Sequence, residues 1–309
     1  MDFTSALLYP YKSIAKVLTI VLVMTIAIAV FLGMLLNSYD WVGFIQTMQY
    51  NLSISSRDYL PEGAFARYET PTGMFIPALI GLMGVMIAQG LWLSGYGIRV
   101  IRSVMEGNDK LPNVQLGKDM MTGLSLFIGN IVYALLFVPF FIIVGMLMAM
   151  TSANDGSGLS ALLFCGSFLV AIPLMMLMGW AFFVGMARSA ADNNRGALFE
   201  IGKNFSIARQ NVKASFSLTG YMILLGLTFW FVSQFVSNVL QLFTRPFLGG
   251  SQDQMSILIA VLIPLMLSIA MNIVQEFSKM HLIAQYGYQI GLYDDFDDFE
   301  PKKVDFDFE

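Results

Sequence analysis

The stretch Gly95–Gly123, GYGIRVIRSVMEGNDKLPNVQLGKDMMTG, lies between two long apolar runs, and its reading decides the fold. The flanking runs, Gly73–Tyr96 and Met121–Met150, carry no charge, and each exceeds the roughly 20 apolar residues a helix needs to cross a hydrocarbon core. The stretch is therefore the elbow of a membrane hairpin. Gly107 suits the position just past a helix end, and Leu111-Pro112 forces an extended step before the chain turns back. Tyr96 lies at the interface, and Arg99 and Arg102 reach either phosphates or the C-terminal carbonyls of their own helix.

Outward from the elbow the pattern recurs. Uncharged runs at about 17–36, 158–187, 215–240 and 255–275 bring the expected spans to six, and none alternates with the period of two that a barrel strand requires. The composition agrees: the chain is 57% hydrophobic and 12% charged, against roughly 45–50% apolar and 25% charged in an average soluble domain. The expected fold is an all-α integral membrane protein, with a six-helix membrane domain over 1–291 (spans 17–36, 73–96, 121–150, 158–187, 215–240 and 255–275) and a tail over 292–309. The first run follows Lys12 and Lys16, exceeds the usual core of a signal peptide and ends without a small-residue cleavage site, so it is expected to remain as an anchor.

Orientation follows from the basic residues beside the spans. Fourteen of the 17 lysines and arginines fall on the side of the N-terminus, and only Arg57, Arg67 and Arg245 fall on the other. The expectation is an inner (cytoplasmic) membrane protein with both termini cytoplasmic and one long outer loop, Asn37–Thr72.

The second elbow, Arg188–Val212, places Leu198, Ile201, Phe205, Ala208 and Val212 at spacings of three and four. That is an amphipathic helix, expected along the inner leaflet with Lys203, Arg209 and Lys213 near anionic headgroups, or else serving as a connector that buries its own apolar face. The two elbows share a pattern, Arg102-Ser-x-x-Glu106-x-Asn108 and Arg188-Ser-x-x-Asp192-x-Asn194. Each puts an arginine one helical turn before a carboxylate, where the two meet on one face, and a duplicated hairpin explains the repetition. Arg99, Arg102, Glu106, Arg188 and Asp192, with Lys203, Arg209 and Lys213, are thus expected to contact lipid headgroups or to build the elbows.

Tyr96-x-x-Arg99, Arg102, Gly107, Leu111-Pro112, and Gly123 opening a span that contains Tyr133, together resemble the domain of unknown function 4013 family of prokaryotic membrane proteins. Tyr9-Pro10-Tyr11-Lys12 before the first span and His281-Leu282 with Gln285 after the last are further points of similarity. The resemblance implies a fold of packed helices and no reaction, ligand or catalytic residue.

The remaining motifs exclude more than they assign. One cysteine, Cys165, and one histidine, His281, furnish neither a disulfide nor a Cys/His metal cluster. No cofactor and no nucleic acid is expected. Intramembrane polar residues, the usual markers of a pathway, are uncharged here; Gln89, Asn130, Gln234 and Asn272 are read as interhelical hydrogen-bonding residues worth roughly 0.6–2 kcal/mol each. The tail, YDDFDDFEPKKVDFDFE, holds eight carboxylates with Phe296, Phe299, Phe306 and Phe308 spaced among them. It reads either as a solvated, disordered end or as a segment that orders upon docking to a basic, grooved partner. The leading expectation is a non-enzymatic membrane subunit or scaffold, homo- or hetero-oligomeric, in contact with lipids and with protein partners on the cytoplasmic side. The competing one is a small-molecule or lipid transporter or lipid-handling protein.

Overall fold

The computed structural model describes residues 1–38, 73–152, 157–249 and 254–292, and within these no strand occurs. Most of the Asn37–Thr72 loop and the acidic tail beyond Leu292, with its four phenylalanines, lie outside the described residues.

The chain opens with a short helix, α1 (Phe3–Leu8), and a 3₁₀ turn (Tyr9–Ser13) that runs into α2 (Ile14–Asn37). Asp2 caps α1, its carboxylate accepting from the Ser5 amide at 3.2 Å. Next come α3 (Phe75–Met105), α4 (Leu116–Leu135), α5 (Val138–Ser152) and α6 (Ser157–Ala191). A 3₁₀ turn (Arg195–Phe199) leads to α7 (Ile201–Gln210), followed by α8 (Val212–Gly249) and α9 (Gln254–Gln289). Among the described residues five segments are long and apolar enough to cross a membrane: Phe3–Leu35, Phe75–Met105, Leu116–Met150, Cys165–Ala191 and Val212–Leu240.

Prolines account for one departure from the expected spans. The run 121–150 is two helices, broken at Leu136–Phe137, because Pro139 has no N–H to donate and its ring clashes with the carbonyl four residues back, at Leu135. Pro77 stands in the first turn of α3, where its missing N–H has no partner to lose. Pro173 and Pro264 lie inside unbroken helices.

The core gathers at the end of the bundle that carries the elbows. All but one of the buried residues of α3 fall between Trp92 and Met105, and on α6 and α9 the buried set runs from Trp180 to Ala190 and from Ile273 to Tyr286, apart from Ala171. Toward the other end α3 exposes Ile76, Ile80, Met83 and Ile87, α6 exposes Leu169 and α8 exposes Phe235, an apolar surface suited to lipid, where exposure costs nothing. On α5 no side chain is buried among the described residues.

Close approach at the elbow end depends on glycine. A Cβ at Gly95 would lie 1.8 Å from the Asp119 carbonyl oxygen, and one at Gly123 would lie 1.7 Å from that of Leu91. Only a residue without a side chain lets the α3 and α4 backbones touch there.

Candidate functional site at the elbows

The first elbow closes on a buried ion pair. Arg99 lies one turn beyond Gly95 and meets Asp119, one turn before Gly123, through Nε to Oδ1 at 2.6 Å and Nη2 to Oδ2 at 2.8 Å. Asp119 is 1% exposed. Its Oδ2 also accepts from the Gln115 amide at 3.0 Å, so one carboxylate holds the arginine and caps α4. The guanidinium lies over the Tyr96 ring, 5.3 Å from its centroid.

The turn beyond α3 is captured carbonyl by carbonyl. Lys110 O accepts from Tyr9 Oη and Ser103 Oγ, both at 3.4 Å; Leu111 O accepts from Lys16 Nζ at 2.6 Å; Pro112 O accepts from Tyr96 Oη at 2.7 Å. Ser13 Oγ accepts from the Leu111 amide at 3.1 Å, and Lys12 pairs with Asp109 at 3.1 Å. An extended turn has no ladder of its own, so its buried polar backbone takes partners from elsewhere. The Tyr9–Lys16 segment and α3 provide them.

In the second elbow Arg188 is 5% exposed and donates to Asn204 Oδ1 at 2.8 Å and to Glu200 Oε2 at 2.7 Å. Asn204 in turn donates to Ala197 O at 2.9 Å and to Tyr133 Oη at 3.1 Å. The arginine's hydrogen bond and charge hold the Glu200 carboxyl below its usual range. Buried Asn204 and Ala208 face inward on α7, while Lys203 and Arg209 face outward, as does Lys213 at the start of α8. Leu198 is fully buried. Of the apolar stripe, Leu198 in the 3₁₀ turn and Ala208 are buried, Ile201 and Phe205 are half-buried, and Val212 is exposed.

Arg102 joins the elbows. Its Nε donates to Ala190 O and its Nη2 to Asn193 Oδ1, at 2.8 and 2.7 Å, so it satisfies the C-terminal end of α6. The expected Arg102–Glu106 and Arg188–Asp192 pairs do not form. Regular helix ends at Met105 and Ala191, which leaves Glu106 and Asp192 exposed beyond the last turn, while the arginines point back into the bundle. The shared pattern does impose a shared backbone. Gly107 (φ 76°) and Asn193 (φ 52°) occupy equivalent places in the left-handed region, and the Glu106 and Asp192 amides each donate to the arginine carbonyl four residues back at 2.8 Å.

An open pocket of about 380 Å³ lies on the first elbow, lined by Arg99, Arg102, Glu106, Asn108, Lys110 and Asn113 among others. Of the polar residues expected within the spans, Gln89 donates to Met24 O at 2.9 Å and joins α3 to α2. Asn130, Gln234 and Asn272 are exposed on their helices and make no hydrogen bond to another helix among the described residues. The ties between helices lie at the elbow end instead: Trp180 to Thr219 at 2.7 Å, Tyr286 with Ser215 at 2.8 Å, and Tyr133 to Asn204.

Gln285 and His281, both points of family similarity, complete this end with Asp2, which pattern reading left aside. Gln285 Oε1 accepts from the Asp2 amide at 2.5 Å, and its Nε2 donates to Asp2 O at 3.1 Å and to His281 Nδ1 at 3.0 Å. The imidazole, 4.9 Å from the Tyr9 ring, is therefore an acceptor at Nδ1 and neutral. Burial pushes its pKa down to about 4, with the Lys12 charge acting in the same direction and Asp109 and Asp2 opposing.

The fold and the elbows define an all-helical protein whose apolar helices suit a membrane and whose polar chemistry is gathered at one end. The model of the family described as "Protein of unknown function (DUF4013)" matches residues 78–244, more than half of the chain, and the chain belongs to that family. The match runs from α3 to α8 and includes both elbows; Tyr9–Lys12 and His281-Leu282 lie outside it. No curated protein and no solved structure matches the chain.

Proposed function

We propose that this chain is a non-enzymatic integral subunit of the inner membrane, with six spans, α9 being the sixth, and with its termini and elbows on the cytoplasmic side. On this reading α7 lies along the inner leaflet and presents Lys203 and Arg209, with Lys213 just beyond it, while the acidic tail docks a protein partner through Phe296, Phe299, Phe306 and Phe308. The observation that carries it is the root of the tail. Tyr288 Oη donates to Met105 O, the Leu292 amide donates to Gly287 O at 3.1 Å, and Gly291 turns the chain at φ 70°. A docking segment attached to so fixed a base loses less entropy on binding than one on a free helix end.

The test compares wild type with a chain lacking residues 294–309, and with one in which the four phenylalanines are serine, after mild-detergent purification. A partner held in fixed ratio by wild type and lost from both variants supports the proposal; equal recovery by all three refutes it. The second reading, transport or lipid handling, is favoured by the exposed amides of Asn130, Gln234 and Asn272 on otherwise apolar helices. It requires that changing these residues to leucine alter flux of a substrate in vesicles while leaving the melting temperature unchanged.

A further inference from the structure

We propose that the pocket on the first elbow binds the phosphodiester of a glycerophospholipid whose head group donates hydrogen bonds.

The two arginines are held by one edge each. Arg99 donates from Nη2 to Asp119 and keeps Nε in ion-pair contact with it, and Arg102 spends Nε and Nη2 on Ala190 O and Asn193. A guanidinium carries five N–H donors. The two on Nη1 of each arginine are bound to no protein group among the described residues, and both side chains line the same pocket. Fixing the planar groups beforehand removes most of the rotamer entropy that binding an anion would otherwise cost. Lys110 adds a third cation; only its backbone carbonyl is engaged, and its side chain is exposed at the rim.

The lining holds Arg99, Arg102 and Lys110 against Glu106, with Asp119 behind Arg99 and Lys16 bonded to the lining residues Leu111 and Asn113, so the pocket carries an excess of positive charge that suits an anion. Glu106 and Asn108 place acceptors in the same pocket, while the Asn113 side-chain oxygen already accepts from Lys16 at 3.1 Å. These acceptors suit a head group bearing an ammonium or hydroxyls, as in phosphoethanolamine or phosphoglycerol, and give a quaternary ammonium, which has no N–H, charge attraction but no hydrogen bond. A volume of about 380 Å³ accommodates one such group. Position agrees too. Arg99 and Arg102 stand one to two helical turns beyond Tyr96, at the level of phosphates if α3 crosses a membrane.

The test uses the purified, delipidated full-length chain, with short-chain phosphatidylethanolamine, phosphatidylglycerol, phosphatidylcholine and inorganic phosphate titrated separately. The ethanolamine or glycerol lipid binds at least tenfold tighter than the choline lipid and than inorganic phosphate. Lys110→Gln, which removes no contact that holds the elbow, weakens that binding at least fivefold. Glu106→Gln lowers the preference over the choline lipid to threefold or less and tightens inorganic phosphate. Equal affinity for choline and ethanolamine lipids in wild type overturns the proposal, as does tightest binding of inorganic phosphate. Unchanged binding in Lys110→Gln and Glu106→Gln, with wild-type melting temperatures, also overturns it.

Discussion

Gly95→Ala tests whether the first elbow depends on backbone contact. The new Cβ would lie 1.8 Å from Asp119 O and 2.5 Å from Gly123 N, and neither atom is the yielding end of a side chain. Restoring ordinary contact at 3.4 Å parts the helices by about 1.6 Å. The same movement stretches the 2.6 Å ion-pair contact and the 2.8 Å hydrogen bond of Arg99 with Asp119 to about 4 Å, where the hydrogen bond no longer exists. Overpacking alone costs about 1–3 kcal/mol, and breaking a buried pair costs about 3–5 kcal/mol. The Arg99 side chain is 20% exposed and follows its partner in part, so we expect a net loss of about 3 kcal/mol. For a chain of this size that corresponds to a fall of roughly 4–6 °C in melting temperature, read by thermal unfolding of the detergent-solubilised protein. Gly90→Ala is the control: it lies on the same helix and meets nothing within 4 Å. The two losses also overlap, so Gly95→Ala with Asp119→Asn should cost about 1 kcal/mol or more less than the sum of the single changes. If Gly95→Ala melts with Gly90→Ala, or if the double change is additive, the helices are not held by this contact.

Two further outcomes follow from the same end of the molecule. His281 has its pKa depressed from 6.5 to about 4 by burial, so the unfolded chain binds the extra proton first; stability falls as pH drops from about 6.5 to about 4, by up to about 3 kcal/mol, and His281→Gln should flatten the pH dependence of melting over that window. Removing Arg102's donors with Arg102→Leu frees the end of α6, so amide exchange at 190–194 should quicken by about tenfold, for a loss of about 1.5 kcal/mol, while 115–123 keeps its protection; equal quickening in both segments would mean that Arg102 supports the whole end and does not specifically join the elbows.

Patterns that act within one helix or one turn were legible in the chain itself. Apolar length placed the helices, Gly107 placed the end of α3, and the family followed from the first elbow's spacing. The break at Pro139 was within reach, since a proline whose ring meets Leu135 O has a local cause, but apolar length alone reads straight through it. Partners across the fold were not legible. The four-residue spacing from Arg102 to Glu106 holds only while the helix continues, and it stops at Met105. Which carbonyl Arg102 meets depends on where α6 ends, 88 residues later. Asp119 did carry a local sign, an acid in the first turn of α4, but its pairing with Arg99 needed the Gly95–Gly123 crossing to bring the helices into contact. Asn130, Gln234 and Asn272 show the same limit, because periodicity does not say how closely helices approach at a given depth.

The bond between Asp2 and Gln285 spans 283 residues and sets an order of assembly. The first elbow can be captured as soon as α3 follows the Tyr9–Lys16 segment, since Lys16, Ser13 and Tyr9 are already made. The amide of Asp2 and the ring face of Tyr9, by contrast, find their partners only when α9 emerges. A chain stopped before His281 therefore leaves its own beginning undocked, and proteolysis concentrates where ends are not tied down. The last helix acts as a clasp, so that the protection of residue 2 reports whether translation has reached residue 285.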